Sequence, residues 1–278
     1  MSKTIRFGAQ GSIVAIKPPQ WGYKVDVQLP LTINPVAGHT YGIRDDGATY
    51  DGRLCRCSFL LNATDSNSLQ DFFMDPAKGR GESVSLSLGT NSGFYPGGPD
   101  KGDAGNFTIA GTNLVPSGML HKPIKWFDMS LDAQILSCPT YSLPPQRSQG
   151  NLQIGGVSGL RYPQDGYGVE VGSSCLIVPG MANTVAVVDI GTDADTCETV
   201  VRLTGNTANM AALINEFVTN IRGNDFSIIT QANNYPYGRL KGGAGTFTSQ
   251  LISNVLSFTH YGFDQWMVEF RASLRAVA

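Results

Sequence analysis

Histidines, cysteines and paired acids are the residues of this chain with chemistry to offer, and their spacing decides what they can do. His39, His121 and His260 stand in no recognisable motif. Acyl-transfer hydrolysis needs a nucleophile, a base bonded to it and a group that orients the base. No Gly-x-Ser-x-Gly elbow is present. Asp45-Asp46 beside Gly47, and Asp193-Ala-Asp195, read as turn acids. A calcium loop would need more oxygen ligands at fixed spacing, and a carboxylate pair for glycoside hydrolysis carries no local signature. Cys55-Arg-Cys57 would put two sulfurs on one face of a strand, but a zinc site needs a second pair and none follows. The five cysteines, Cys55, Cys57, Cys138, Cys175 and Cys197, are expected to be reduced thiols in a cytosolic setting.

The segment Lys101–Thr108, Lys-Gly-Asp-Ala-Gly-Asn-Phe-Thr, invites a phosphate-binding reading. A P-loop places Gly-Lys-Ser/Thr at the start of a helix, so that backbone N–H groups cradle the phosphates. Here the lysine precedes the glycines and Phe-Thr leads into a strand, so the glycines read as a tight turn with close backbone approach. The chain is expected to be no enzyme, and no cofactor or metal is implied. The segment matters for another reason. It recurs at Lys241–Thr248 as Lys-Gly-Gly-Ala-Gly-Thr-Phe-Thr, identical at six of eight positions and 140 residues further on. Unrelated segments of ordinary composition match at roughly one position or fewer.

The elements around the repeated segment also recur, in order. Ser12–Ile16 reads as a strand, Pro18–Gly22 as a turn and Tyr23–Leu29 as an alternating strand. A middle strand Leu54–Leu61 leads into a short helix, with N-cap oxygens at Thr64–Asn67 and an apolar stripe Leu69, Phe72, Phe73. Ser83–Leu88 alternates strictly. A Gly/Pro loop runs from Gly89 to Gly105, Phe107–Ala110 reads as a strand, and Asn113–Pro123 as irregular. The closing strand buries Phe127, Met129, Leu131, Ala133 and Ile135 on one face. In the second half Gly166–Val171 matches Gly22–Val27, and Thr199–Leu203 matches Cys55–Phe59. Asn206–Asn209 is the capping region of a helix with stripe Met210, Leu213, Ile214, Phe217. Arg222-Gly223 corresponds to Arg80-Gly81, Tyr235-Pro236 to Tyr95-Pro96, and Phe263-Asp264 to Phe127-Asp128. The last strand alternates Trp266, Val268, Phe270, Ala272 and Leu274. Two domains of one design are expected, residues 1–137 and 152–278, joined by an extended Pro-rich linker over 138–151. Each is mainly β with one helix, a sandwich or barrel with the helix packed on it.

Composition narrows the partners. Charged residues are 15% against a usual quarter, and glycine is 33 of 278. This suits a turn-rich β protein that hides surface against neighbours rather than a disordered chain. A net charge of −2 does not point to a non-specific nucleic-acid binder, and it leaves a locally basic patch open. Met1–Arg6 has no apolar core, so no secretory leader is expected, and no run approaches a membrane span.

Each half resembles the tail-tube-like domain of long-tailed bacteriophages. The resemblance rests on the strand starts Phe7-Gly8 and Ile154-Gly155, and on the helices with Leu69–Phe73 and Leu213–Phe217. It rests also on the strands after Gly81 and Gly223 and on the closing strands Phe127–Ile135 and Phe263–Leu274. It is a pattern of element order over most of both halves. The resemblance implies a non-enzymatic virion protein, assembled in the host cytoplasm into the tail. Such proteins form rings, as a tail tube or a distal-tail or hub ring. A duplicated member would form trimers with pseudo-sixfold symmetry, or hexamers. DNA would pass through the lumen without sequence-specific binding, and other tail proteins would be partners. A lumen for DNA should avoid a positive lining.

The candidate interface residues are Lys101, Gly102, Gly105, Lys241, Gly242, Gly245 and Trp21. The lysines stand between a loop and a strand, facing solvent, the lumen or a neighbouring subunit, with the last favoured. Trp21 lies in a turn, where partial burial is the favoured expectation and an exposed interface or ligand platform the alternative. The alternative function is a tandem β-sandwich module that binds a receptor or carbohydrate on a virion, which exposed loop aromatics would favour.

Overall fold

A computed structural model describes residues 4–35, 41–46, 52–90, 92–117, 126–139, 142, 145–161, 169–170, 174–179, 185–191, 196–230 and 245–276. The first half runs β1 (Ile5–Ala9), β2 (Ser12–Ile16), β3 (Lys24–Gln28), a hairpin of β4 (Leu31–Pro35) and β5 (Tyr41–Asp45), then β6 (Gly52–Asn62). The helix α1 (Ala63–Met74), β7 (Ser83–Ser87), β8 (Asn106–Ser117) and β9 (Trp126–Ser137) follow. The second half runs β10 (Leu152–Ile154), β11 (Val157–Leu160), β12 (Val169–Glu170), a hairpin of β13 (Ser174–Pro179) and β14 (Val185–Gly191), and β15 (Thr196–Gly205). Then come α2 (Thr207–Glu216) with a π-helical turn over Phe217–Ile221, β16 (Phe226–Thr230), β17 (Gly245–Leu251), β18 (Val255–Gly262) and β19 (Gln265–Ala276).

The alternating pattern does what the sequence requires. In β7 Val84 and Leu86 are buried between exposed Ser83 and Ser85, and in β9 Met129, Leu131, Ala133 and Ile135 are buried. Gln10-Gly11, both at positive φ, close the β1–β2 hairpin, the left-handed pair that a two-residue turn needs. Each helix follows a long strand and is capped by an asparagine. Asn62 Oδ1 accepts from the Asp65 N–H at 2.8 Å, and Asn206 Oδ1 from the Asn209 N–H at 2.9 Å. The expected cap at Thr64–Asn67 is therefore displaced. The chain turns helical directly at Ala63, and Asp65 sits in the first turn, where its charge suits the helix dipole. The stripes hold as expected: Leu69, Phe72, Phe73, Leu213, Ile214 and Phe217 are all buried. Each such side chain contributes about 1.5–3 kcal/mol on burial.

The molecule is mainly β. Among the described residues fifteen strands pair antiparallel in a continuous sheet, and β4–β5 and β13–β14 form separate two-stranded ribbons. In the first half the order is β3-β6-β9-β8-β7-β1-β2. In the second it is β12-β15-β19-β17-β16-β10-β11, the same order element for element. α1 touches β6, β9 and β8 but also β2, the far end of its path, so the sheet curls round the helix. In the second half Arg161, just after β11, bridges to Thr204 of β15, so this path closes on itself.

Several expectations change. Asn113–Ser117 is not irregular: β8 continues through it, past a bulge between Gly111 and Asn113, because β9 is long enough to pair it. Phe263-Asp264 does not correspond to Phe127-Asp128. Phe127 stands opposite Leu61 in the β6–β9 ladder, and Trp266 stands opposite Gly205 in the β15–β19 ladder. Phe263 and Asp264 form the tight turn between β18 and β19, both at positive φ. β3 is not half-buried by alternation, since Val25, Asp26 and Val27 are all buried. A strand lies on each side of it. In the stretch expected to be a linker, residues 145–150 carry no helix or strand, and Asn209, fully buried, pins them: Asn209 Oδ1 accepts from the Arg147 N–H at 3.0 Å and Nδ2 donates to the Arg147 carbonyl at 3.0 Å.

Candidate assembly interface

The second strand beside β3 is β18, from the other half. The two halves therefore meet by edge-to-edge pairing, with Ser257 opposite Asp26 and Phe258 opposite Val25. This joint is well sealed. Val25, Val27, Leu256 and Phe258 are inaccessible to solvent. Asp26 is buried too, and the joint satisfies it: the Ser257 hydroxyl donates to one carboxylate oxygen, and Arg56 lies 3.2 Å from the other. A buried carboxylate without such partners would oppose folding.

An aromatic cluster closes one end of the joint. Tyr23 leads into β3, Phe94 and Tyr95 lie in the loop after β7, His260 is in β18 and Trp266 in β19. Ring centroids lie 4.7 Å apart for His260–Trp266, 4.8 Å for Tyr23–His260 and 5.0 Å for Tyr23–Phe94. The Tyr95 N–H donates to the Tyr23 hydroxyl at 3.0 Å, and Trp266 Nε1 donates to Thr207 Oγ1 at 3.1 Å. Burial pulls the His260 imidazole down to about 4, against a small opposing pull from Asp264, so it is neutral near pH 7. It is a buried core ring, its Nδ1 without a hydrogen-bond partner among the described residues, rather than a base with access to substrate. Burial likewise holds the Tyr23 phenol well above its ordinary value.

The described part of the Gly/Pro loop packs on the same joint. Arg53 of β6, almost fully buried, donates to both carboxylate oxygens of Asp100 and to the Gly97 carbonyl. Arg53, Asp100 and Lys101 line a cavity of about 460 Å³ whose other wall is α2, through Ala211 and Ile214, and the π-helical turn after it, through Val218. The β4–β5 ribbon of the first half also reaches the second. Asp45 Oδ2 lies 2.7 Å from Arg222 Nε, and the Tyr41 hydroxyl donates to Glu198, which also holds Arg271 at 3.1 Å. Burial and the Glu198 carboxylate push the Tyr41 phenol up to about 12.

The expected interface residues fall as follows. Lys101 is half-buried, with Nζ 3.9 Å from Asp100 Oδ2, and faces the cavity between the halves. Gly102 is buried and Gly105 exposed, both at positive φ; a Cβ on Gly105 would meet Pro139 at 3.1 Å. Gly245 begins β17 opposite Thr230. Lys241 and Gly242 lie outside the described residues, as do His39, His121, Asp193, Asp195 and Tyr235-Pro236. Trp21 is 64% exposed and meets Phe263, 84% exposed, edge to face at 4.9 Å. These two come from different halves. A bulky residue at positive φ on the surface is a strained choice.

Other readings are corrected. Asp45 is not a turn acid but the inter-half partner of Arg222, at the end of β5. Asp46 is held by Thr32 and Arg44 and has its carboxyl lowered by them. Cys55 and Cys57 do share one face, and it is the buried one. The Cys57 thiol is pushed up by its hydrogen bond to Cys55 and by burial, which leaves it inert. Among the described residues no group of three or more His, Cys, Asp or Glu could hold a metal ion. Among the described residues no helix is long and apolar enough to cross a membrane. Sequence reasoning missed Asp45, Arg53 and Asp100. The repeated Arg-Gly at Arg80 and Arg222 was the one signal that could have marked Asp45's partner.

No known protein-family description and no curated protein sequence matches the chain.

Proposed function

We propose that the chain is a structural, non-enzymatic subunit of a bacteriophage tail, forming a tail tube or a distal-tail or hub ring. It is two tandem tail-tube-like domains, and copies of it associate into trimeric, pseudo-sixfold or hexameric rings. DNA passes through the lumen without being read. The protein would be assembled in the host cytoplasm and carried in the virion tail beside other tail proteins.

One observation carries this reading. The same seven-strand order occurs twice, and the two occurrences are joined edge to edge by β18 and β3. A joint between two like units that uses different edges of each is head-to-tail. Such a joint repeats around a ring when the rotation closes. The low charge supports the same reading, because apolar edges are then meant for neighbours.

The exposed Trp21 and Phe263 favour a second reading, a receptor- or carbohydrate-binding module. Against it, the rings meet at 73° and one Trp21 face lies against Gly262, so the two do not form one flat stacking platform. Negative-stain images of the purified protein separate the readings. Rings or tubes are expected. Single particles of one chain, together with measurable affinity for a sugar, would overturn the proposal.

A further inference from the structure

Both sides of the internal joint have counterparts that the chain itself leaves open. The ladders fix the correspondence. Phe127 opposite Leu61 answers to Trp266 opposite Gly205, so Val115, opposite Ser130, answers to Ser257, opposite Glu269. Val25-Asp26 on β6 answer to Val169-Glu170 on β15. Leu31 opposite Asp45 answers to Cys175 opposite Asp189, both displaced by 144 positions. Arg80-Gly81 answer to Arg222-Gly223, and both glycines hold nearly the same left-handed φ, 79° and 75°.

Each counterpart has an open side. Among the described residues no strand pairs β8 beyond Ala110 on the side away from β9, and none pairs β12 on the side away from β15. Val115 is 46% exposed and Arg80 is exposed. Beside the open β8 edge lies a cavity of about 410 Å³, lined by Phe73, Arg80, Gly81, Leu114 and Leu131 among others. At the matching place in the second half, Asp45 of the β4–β5 ribbon sits against Arg222 and Gly223.

We propose that the open β8 edge and its cavity receive β12 and the β13–β14 ribbon of a second copy of this chain, in the register of the internal joint. Val115 of one copy then stands opposite Glu170 of the next, and Arg80 pairs with Asp189 as Arg222 pairs with Asp45. The ribbon suits a place beside Phe73 and Leu131: β13–β14 carries Leu176, Ile177, Val178, Val185, Val187, Val188 and Ile190. Pro116 has no N–H to give, so this joint forms one bond fewer there than the internal one does, and an edge proline also discourages pairing in any other register. Every copy offers one edge of each kind, which makes the association head-to-tail.

The inference rests on the ring-forming reading and specifies its contact, so the test separates the two. Val115→Cys and Glu170→Cys are placed in one chain, assembled, oxidised and run without reductant, with each single variant as control. A ladder of cross-linked chains in the double variant alone is expected. In parallel, Arg80→Asp and Asp189→Arg should each raise the concentration needed for assembly at least about tenfold. The two changes combined in one chain should restore assembly. Assembly of all variants like the unmodified protein, with no cross-link, overturns the joint and leaves the ring reading standing. An unmodified protein that stays a single chain at every concentration overturns both.

Discussion

Asp100→Ala removes the carboxylate around which the Gly/Pro loop is built. The Arg53 side chain is 3% exposed, and Asp100 supplies its countercharge through both carboxylate oxygens, one of them at 2.8 Å from Nη2. The variant leaves the guanidinium buried beside the Gly97 carbonyl without that charge. Breaking a buried pair from one side costs about 3–5 kcal/mol. Asp100 is 18% exposed, so water reaches the vacated rim and the lower end applies, about 3 kcal/mol. Asp100→Asn keeps an acceptor but not the charge and should cost about half as much. Arg53→Met combined with Asp100→Leu should cost less than Asp100→Ala alone, because an apolar pair needs no desolvated charge. Urea unfolding followed by tryptophan fluorescence reads these differences, since Trp266 lies in the cluster that the same loop covers. With a slope of about 3 kcal/mol per molar, the Asp100→Ala midpoint should fall by about 1 M. A loss below about 1 kcal/mol, or a double variant no better than the single one, would refute the reasoning.

Phe107 and Phe247 occupy matching places, opposite Leu86 and Ile228, and are both nearly inaccessible, so alanine at either should cost about 3–5 kcal/mol by the same unfolding assay. A large loss at one and none at the other would break the correspondence. Asn209→Ala removes both bonds to Arg147, whose neighbours in the linker are exposed, so limited trypsin cleavage after Arg147 should speed up markedly while cleavage elsewhere stays unchanged. His260 titrates at about 4 folded against about 6.5 unfolded. Between those values the unfolded chain binds the extra proton, so stability falls as pH falls, by up to about 1.4 kcal/mol per unit, and is flat above 6.5. His260→Phe should remove that slope; a variant with the parent's slope over pH 4–6.5 would show that other groups set it.

The strands and both helices were legible because their signal is local. Val84 and Leu86 alternate with serines, and Leu213 and Phe217 recur one turn apart, whatever lies across from them. The order of the two halves was legible because Lys-Gly-x-Ala-Gly-x-Phe-Thr marks it. What the sequence hid is set by partners far along the chain. Asn113–Ser117 carries a glycine before it and a proline within it, and becomes a strand only because β9 extends alongside. Phe263-Asp264 resembles Phe127-Asp128 as a dipeptide, yet the ladders put it in a turn. Asp26 looks like the solvent residue of an alternating strand until β18 covers it. The interface residues show the same division. Lys101 does reach the space between the halves, but the pairs that build the surroundings, Arg53 with Asp100 within the first half and Asp45 with Arg222 across the two, are single charges with no motif of their own.

The central claim is that the joint between β18 and β3 is repeated between copies until a ring closes. Native mass measurement over a series of concentrations tests it most directly. Discrete closed species of three chains, or of six, with single chains only at the lowest concentrations, are the expected result. A single chain throughout, or an unbroken ladder of sizes with no favoured species, would contradict it.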